Sequence, residues 1–445
     1  MADWRDVITG GGKDELARSV ERAISSGVLS PGERLPSVRT LARRLGISPT
    51  TVAAAVAELR RRGMIVTSER RTSVVASAPP LILSAGRSVA VASTVANLTH
   101  GGPDQELLPA LEPALRAVAA ENREPKLYGQ PMIDPQLREL AVAQLAELGL
   151  SLSCDQVGVT SGALDLVERA LLATCRPGDR VVVEDPGYPD LFDLLRANGL
   201  QAVPVAVDDE GLRPAGLRSV LDDGATALVH TPSAQNPYGS FLSERRAAEL
   251  AAVLAGWPDV VVIEDHHLSM VEPPRASLAG RVARWAVARS VAKSLGPDLR
   301  LAVVAAEPHL FSRVLGRHAL GPGWVSHLLQ RTVVQLLRDP ATPGRLEHAR
   351  QTYAARRDAL LEELRRRGVV CHGATGLNVW IPVADEGGAT LALAHRGWAV
   401  SAGGVFRHAS PPALRVTTST LSVRDAPRLA EDMAQILRTR PSRSG

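Results

Sequence analysis

Six short runs rich in Val, Ala and Ile punctuate the chain, at 157–160, 181–184, 227–230, 260–264, 286–290 and 301–305, and hardly any of them alternates apolar with polar residues. A strand without alternation must be buried on both faces, and the segments between these runs read as helices. Strands buried twice over and separated by helices leave one solution, a mainly parallel sheet covered on both sides. The body of the protein is therefore expected to be α/β. The chain has 445 residues, 45% hydrophobic and 22% charged, which suits a globular fold of several domains and excludes wholesale disorder or a collagen-like fibre. No apolar run reaches the roughly 18 residues of a membrane-spanning helix.

In such sheets ligands bind beyond the carboxyl ends of the strands, so the polar residues there are the candidates. Ser161, Gly162 and Ala163 follow the first run and open a helical segment, offering backbone N–H groups and a helix dipole to an anion such as phosphate. Tyr188, in EDPGYPD, follows the second and brings an aromatic ring. Asn236, in TPSAQNPYG, follows the third and Asp265, in VVVIEDHH, ends the fourth. Lys293 lies just past the fifth, with Ser290 before it and Arg300 after it. Each signal alone is ordinary: a helix start, a turn residue, a solvated charge. Together they describe a site for pyridoxal 5'-phosphate. A lysine amine can bond its aldehyde, a carboxylate can keep its pyridine nitrogen protonated, and Arg300 and Ser290 can hold its phosphate. Asn236 can hydrogen-bond the ring oxygen.

In this order the residues resemble those of fold-type I aminotransferases, from about Leu107 onward. SVAKSLGPDLRLAVVAA is similar to that family's lysine segment, which carries over Ser290, Lys293 and Arg300. YGQPMIDPQLREL resembles its Tyr-Gly-Asp-Pro segment, so Tyr128 is expected to reach the phosphate held by the partner subunit of a dimer. ALRVTTSTL matches the late Leu-Arg segment and makes Arg415 the expected clamp for a substrate or effector α-carboxylate. Three departures stand out: His267 occupies a position where the family has tyrosine, Ile133 stands for a glycine and Ala292 for a frequent serine. A histidine ordinarily titrates near neutral pH, so one at this position is expected to alter the cofactor's acid–base behaviour. Adjacent His266 and His267 should point to opposite sides, so no metal site is expected there.

The first 78 residues are of a different kind. They hold 13 Lys/Arg against 8 Asp/Glu, whereas the remainder holds 38 against 39. A basic head on a nearly neutral body is the footprint of a polyanion binder. Apolar residues at Leu16, Val20, Ala23 and Ile24 mark a first helix, Ser37 caps a second carrying Val38, Leu41, Ala42 and Leu45, and Ser48 opens a third, 50–62, with Val52, Ala55, Val56 and Leu59 inward. Two β-rich pieces, 64–67 and 72–76, complete a winged helix-turn-helix. Its third helix is the candidate for the major groove, with Ser48, Thr50 and Thr51 toward bases and Arg34, Arg39, Arg43 and Arg44 toward phosphates. Ser37 sits beside them. Arg60, Arg61 and Arg62 read equally well as a solvated helix end.

PGERLPSVRTLARRLGISPTTV, residues 31–52, resembles the head of the GntR family of bacterial regulators nearly throughout. Pro49 replaces a usual arginine, and the wing carries Arg70 and Arg71 in place of glycines. Head and body together resemble the MocR-type branch of that family. The expected architecture is a winged helix-turn-helix at 1–78, a linker at 79–98 beginning with Pro79-Pro80, and an aminotransferase-like domain at 99–445. The resemblance implies a homodimer that reads a double-stranded DNA operator and senses an amine, an amino acid or the vitamer itself. An active aminotransferase carrying a regulatory head is the other reading. Three widely spaced cysteines, Cys154, Cys175 and Cys371, form no disulfide framework, and the N-terminal MADWRDVITGGG lacks the features of a signal peptide, so a cytoplasmic protein is expected.

Overall fold

The computed structural model of the protein describes residues 7–25, 28–61, 64–67, 73–76, 95–121, 126–273 and 275–438. Residues 79–94 of the expected linker, and the wing arginines Arg70 and Arg71, lie outside them.

In the head, α1 (Lys13–Ser25), α2 (Val38–Leu45) and α3 (Pro49–Arg61) pack around Leu16, Val20, Leu41, Val52, Ala55 and Leu59. Each contributes one apolar stripe, the spacing of which the sequence displays. Ser37 caps α2 by accepting from the Thr40 N–H at 3.1 Å, and Gly46 ends it in the left-handed conformation, φ 66°. A residue with a Cβ would be strained there, so the tight turn into α3 needs glycine. Strands β1 (Ile65–Thr67) and β2 (Ser73–Val75) pair antiparallel, and Arg34 makes an isolated bridge to Val74. A winged helix-turn-helix results.

The body contains an eight-stranded sheet. Its members are β4 (Val157–Thr160), β5 (Arg180–Asp185), β6 (Gln201–Asp208), β7 (Gly211–Leu212), β8 (Ala227–His230), β9 (Val261–His266), β10 (Arg284–Ser290) and β11 (Ala302–Ala306), in the order β4-β11-β10-β9-β8-β5-β6-β7. Every residue of β4, β8, β9 and β11 is buried, as unalternating strands require. Strands β8, β9 and β10 run parallel, but β11 is antiparallel to both β10 and β4, so the sheet is mixed. The reason is connection length: residues 291–301 link β10 to β11, too few for the crossover of a dozen or more that parallel neighbours need. That short return carries Lys293.

A C-terminal subdomain holds the antiparallel sheet β12 (Asn378–Pro382), β15 (Ala413–Thr417) and β14 (Ser401–Ala402), with β12 and β14 on either side of β15. The 25-residue helix Thr342–Arg366 and the helix Ala426–Arg438 pack against it through Leu360, Leu364, Leu429 and Met433. Strand β3 (Ala96–Asn97) pairs parallel with β13 (Trp398–Ala399), and Leu98 is buried in the same core. Residues 96–98 are thus bonded to this subdomain.

Candidate cofactor site and nucleic-acid interface

A cavity of about 170 Å³ opens where β4, β8, β9 and β10 end. Its walls bring together Gly162, Ala163, Tyr188, Asn236, Asp265, His267, Ser290, Lys293 and Arg300, residues spread over 139 positions of sequence. Thr231, Leu164 and Leu301 also line it, and no sequence signal marked them. Ser161 stands behind the wall: its N–H donates to Asp165 Oδ2 at 2.9 Å and its carbonyl accepts from Arg300 Nη2 at 3.3 Å. Gly162 has φ 103°, and a Cβ there would lie 3.4 Å from Arg300 Nη2. Glycine keeps the cradle between the helix start and the guanidinium open.

Asp265, also in the cavity lining, is buried, and its Oδ1 has no hydrogen-bond partner among the described residues. Burial raises its pKa to about 6, against the pull of the Lys293 ammonium. An unpartnered buried carboxylate is costly unless a donor meets it. A protonated pyridine nitrogen is such a donor. Burial lowers the Lys293 pKa to about 8, with Asp265 opposing and Arg415 assisting. Lys293 Nζ lies 2.9 Å from His267 Nδ1, and His267 Nε2 lies 2.9 Å from the Ala234 carbonyl. A carbonyl only accepts, so Nε2 carries the proton and Nδ1 accepts from the lysine. Burial, then the lysine charge, holds His267 well below its usual pKa, which favours this neutral form. The residues fit pyridoxal 5'-phosphate: a cradle for phosphate, an acceptor for the ring nitrogen and an amine whose pKa burial lowers.

His266 turns away to Glu264, 3.2 Å distant, so the two adjacent rings serve different partners. Glu264 is fully buried and also accepts from Ser277 Oγ at 2.5 Å and Leu278 N–H at 2.6 Å. Burial pushes its pKa up, but His230 and His266 outweigh that and hold it below the usual carboxylate range. Glu184, by contrast, is raised to about 7 by burial. Neither carboxylate is given a role by the sequence, because their partners His230, His266, Ser277 and Gln235 lie on other segments or carry no motif of their own.

Besides Ser161, the expected site residues Arg415 and Tyr128 do not line the cavity. Arg415 is 6% exposed, and burial lowers its pKa to about 10. It donates to Asn236 Oδ1 at 3.2 Å, which leaves the Asn236 amide nitrogen as that side chain's donor. Tyr128 is 89% exposed, its ring edge-on to Trp324 with centroids 5.5 Å apart.

In the head, Arg34, Ser37, Arg39, Arg43, Ser48 and Thr50 are exposed, and Thr51 is half-buried. Ser48 Oγ accepts the Thr51 N–H at 3.0 Å and lies 2.8 Å from Thr51 Oγ1, so the two hydroxyls are paired at the start of α3. Arg60 donates to Ser73 Oγ of β2 at 3.3 Å, tying the helix end to the wing.

Such a head and body define a class. Residues 93–433 match the aminotransferase class I and II family and 13–75 match the gntR family of bacterial regulatory proteins. The chain belongs to the aminotransferase class I and II family and, with its head, to the MocR-type branch of the GntR regulators. It is 38% identical over 436 residues to the vitamin B6 salvage pathway transcriptional repressor PtsJ of Salmonella typhimurium, covering 97% of this chain and 100% of that one. The pyridoxine biosynthesis transcriptional regulator PdxR of Corynebacterium glutamicum is 29% identical over 366 residues, 79% of this chain and 78% of its own. Among solved structures, an aspartate aminotransferase of Thermus thermophilus superposes with a TM-score of 0.67 at 25% identity, covering 80% of this chain and 99% of that one. No described helix is long and apolar enough to cross a membrane.

Proposed function

We propose that this protein is a DNA-binding transcriptional regulator whose aminotransferase-like body holds pyridoxal 5'-phosphate and senses an amine, an amino acid or the vitamer itself. The observation that carries the reading is the Asp265 carboxylate, buried and unpartnered, lining the same cavity as the low-pKa Lys293 amine. Lys293 would bond the aldehyde; Asp265 would hold the ring nitrogen; Asn236 would donate to the ring oxygen. Gly162, Ala163, Ser290 and Arg300 would hold the phosphate, with Ser161 supporting Arg300 and Tyr188 flanking the ring. When bound, the cofactor supplies an electrophilic carbon conjugated to an electron-withdrawing ring. His267 accepts from Lys293 and so keeps the amine oriented within the cavity.

The relatives named for vitamin B6 salvage and pyridoxine biosynthesis favour a vitamin B6 effector. In the head, Arg34, Arg39 and Arg43 would neutralise phosphates, while Ser37, Ser48, Thr50 and Thr51 would face the groove. A homodimer would present two heads to repeated half-sites of an operator, and each Tyr128 would serve the partner's phosphate. Effector affinity must differ between two arrangements of the dimer for binding to reach the heads.

The test is chemical. After incubation with vitamer and reduction with borohydride, mass spectrometry is expected to place one adduct on Lys293, and Lys293→Ala is expected to remove it together with the yellow colour. A wild-type chain that stays colourless and unmodified at saturating vitamer would overturn the reading.

A further inference from the structure

Arg415 is the residue that family resemblance assigns to a ligand α-carboxylate, yet its terminal nitrogens are already engaged. Nη2 donates to the Thr99 carbonyl and to Ser401 Oγ, the latter at 3.2 Å, and Nη1 donates to Asn236 Oδ1 at 3.2 Å. The guanidinium carbon lies 4.5 Å from the centre of the Phe406 ring. On another side Gly101 approaches so closely that a Cβ there would sit 3.4 Å from Nη1. Arg415 is therefore walled off from the cavity rather than lining it.

Thr99 is itself held from several directions. Its N–H and Oγ1 donate to Asn97 Oδ1 at 3.0 and 2.6 Å. Ala96 and Asn97 pair with Trp398 and Ala399, the Leu98 N–H donates to the Ala399 carbonyl at 2.8 Å, and the Leu98 carbonyl accepts from Thr417 at 3.0 Å. Ser401 lies opposite Arg415 in the register of β14 and β15. A carboxylate is recognised by two parallel N–H groups of one guanidinium edge. Both usable edges include Nη2, and the two Nη2 protons already go to Thr99 and Ser401. Nε, without a partner among the described residues, offers a single donor.

We propose that the Thr99 carbonyl occupies the α-carboxylate subsite from within, so that the cavity admits the vitamer and carboxylate-free amines but gives amino acids no purchase on Arg415. The proposal rests on the vitamer reading of the cavity and narrows its effector. An amino acid would have to break a charge-assisted hydrogen bond pinned by two strands, and would gain in exchange a contact of the same kind. Its carboxylate would also meet the lone pairs of the displaced carbonyl.

The experiment follows the visible absorbance of the vitamer-loaded full-length protein during titration with L-leucine and with isopentylamine, its counterpart lacking the carboxylate. Midpoints agreeing within about threefold are expected; no response to isopentylamine, or L-leucine tighter by about tenfold or more, the effect of one charge-assisted hydrogen bond, would overturn the proposal. Asn97→Ala removes the acceptor that fixes Thr99 and leaves the cavity walls untouched. In that variant L-leucine is expected to gain about tenfold on isopentylamine while vitamer uptake stays as in the wild type. A ratio that remains flat there means that Thr99 does not exclude the carboxylate, and the idea falls. Absence of any vitamer uptake sinks this proposal and the reading beneath it, whereas uptake with a wild-type preference for L-leucine sinks this one alone.

Discussion

Lys293 decides when the cavity can react, because only its neutral amine attacks an aldehyde. Burial lowers its pKa from 10.5 to about 8, Asp265 pulls it upward, and Arg415 pushes it down. The rate of vitamer attachment to the apo protein, trapped with borohydride, should therefore climb about tenfold per pH unit below 8 and flatten above it. Asp265→Asn removes the one group that raises the lysine, so the midpoint should move further down. A midpoint near 10.5 in the wild-type protein would show that the amine is solvated and the cavity open. His267→Phe removes the acceptor 2.9 Å from Nζ and should weaken vitamer retention while leaving secondary structure unchanged by circular dichroism. The histidine itself was legible as a departure from the family, but its direction was not. Tautomer and orientation come from the Ala234 carbonyl, 33 residues away, and sequence reading has no access to such a pair.

At the scale of elements, the recognition helix depends on how it begins. Ser48 accepts the Thr51 N–H, so Ser48→Ala should cost the head about 1 kcal/mol. Faster amide hydrogen exchange confined to the first turns of α3 would report it. Arg39 is exposed and caps nothing, so Arg39→Ala should spare exchange in α3 yet lower the slope of log Kd against log salt by about 1. An unchanged slope removes Arg39 from the phosphate contacts. These elements could be read because stripe spacing, caps and turn glycines are local, and the six buried strands lie close to where apolar runs place them. What failed to show was non-local. Strand β6 mixes exposed, half-buried and buried positions, and Pro204 interrupts its apolar stretch, so it does not read as a twice-buried strand. The reversal of β11 depends on connection length rather than composition. Thr99 and Arg415 meet across 316 positions, which no periodicity spans.

At the scale of the whole molecule, the exposed side chains argue for a second subunit. Leu127, Tyr128, Leu320 and Leu328 are 63%, 89%, 91% and 50% exposed, which favours covering them in an assembly. If Tyr128 serves the partner's phosphate, two differently damaged subunits should repair each other. A Tyr128→Ala homodimer lacks the tyrosine at both sites, and a Lys293→Ala homodimer lacks the amine at both. In the mixed dimer, the site of the Tyr128→Ala subunit keeps its own Lys293 and borrows Tyr128 from its neighbour, while the other site carries both lesions. Co-expressed, differently tagged subunits purified through both tags should then take up vitamer with wild-type affinity. After borohydride reduction the adduct should appear on the Tyr128→Ala subunit alone. Affinity no better than that of the Tyr128→Ala homodimer would mean that the tyrosine does not cross between subunits, and each cavity would have to be complete within one chain.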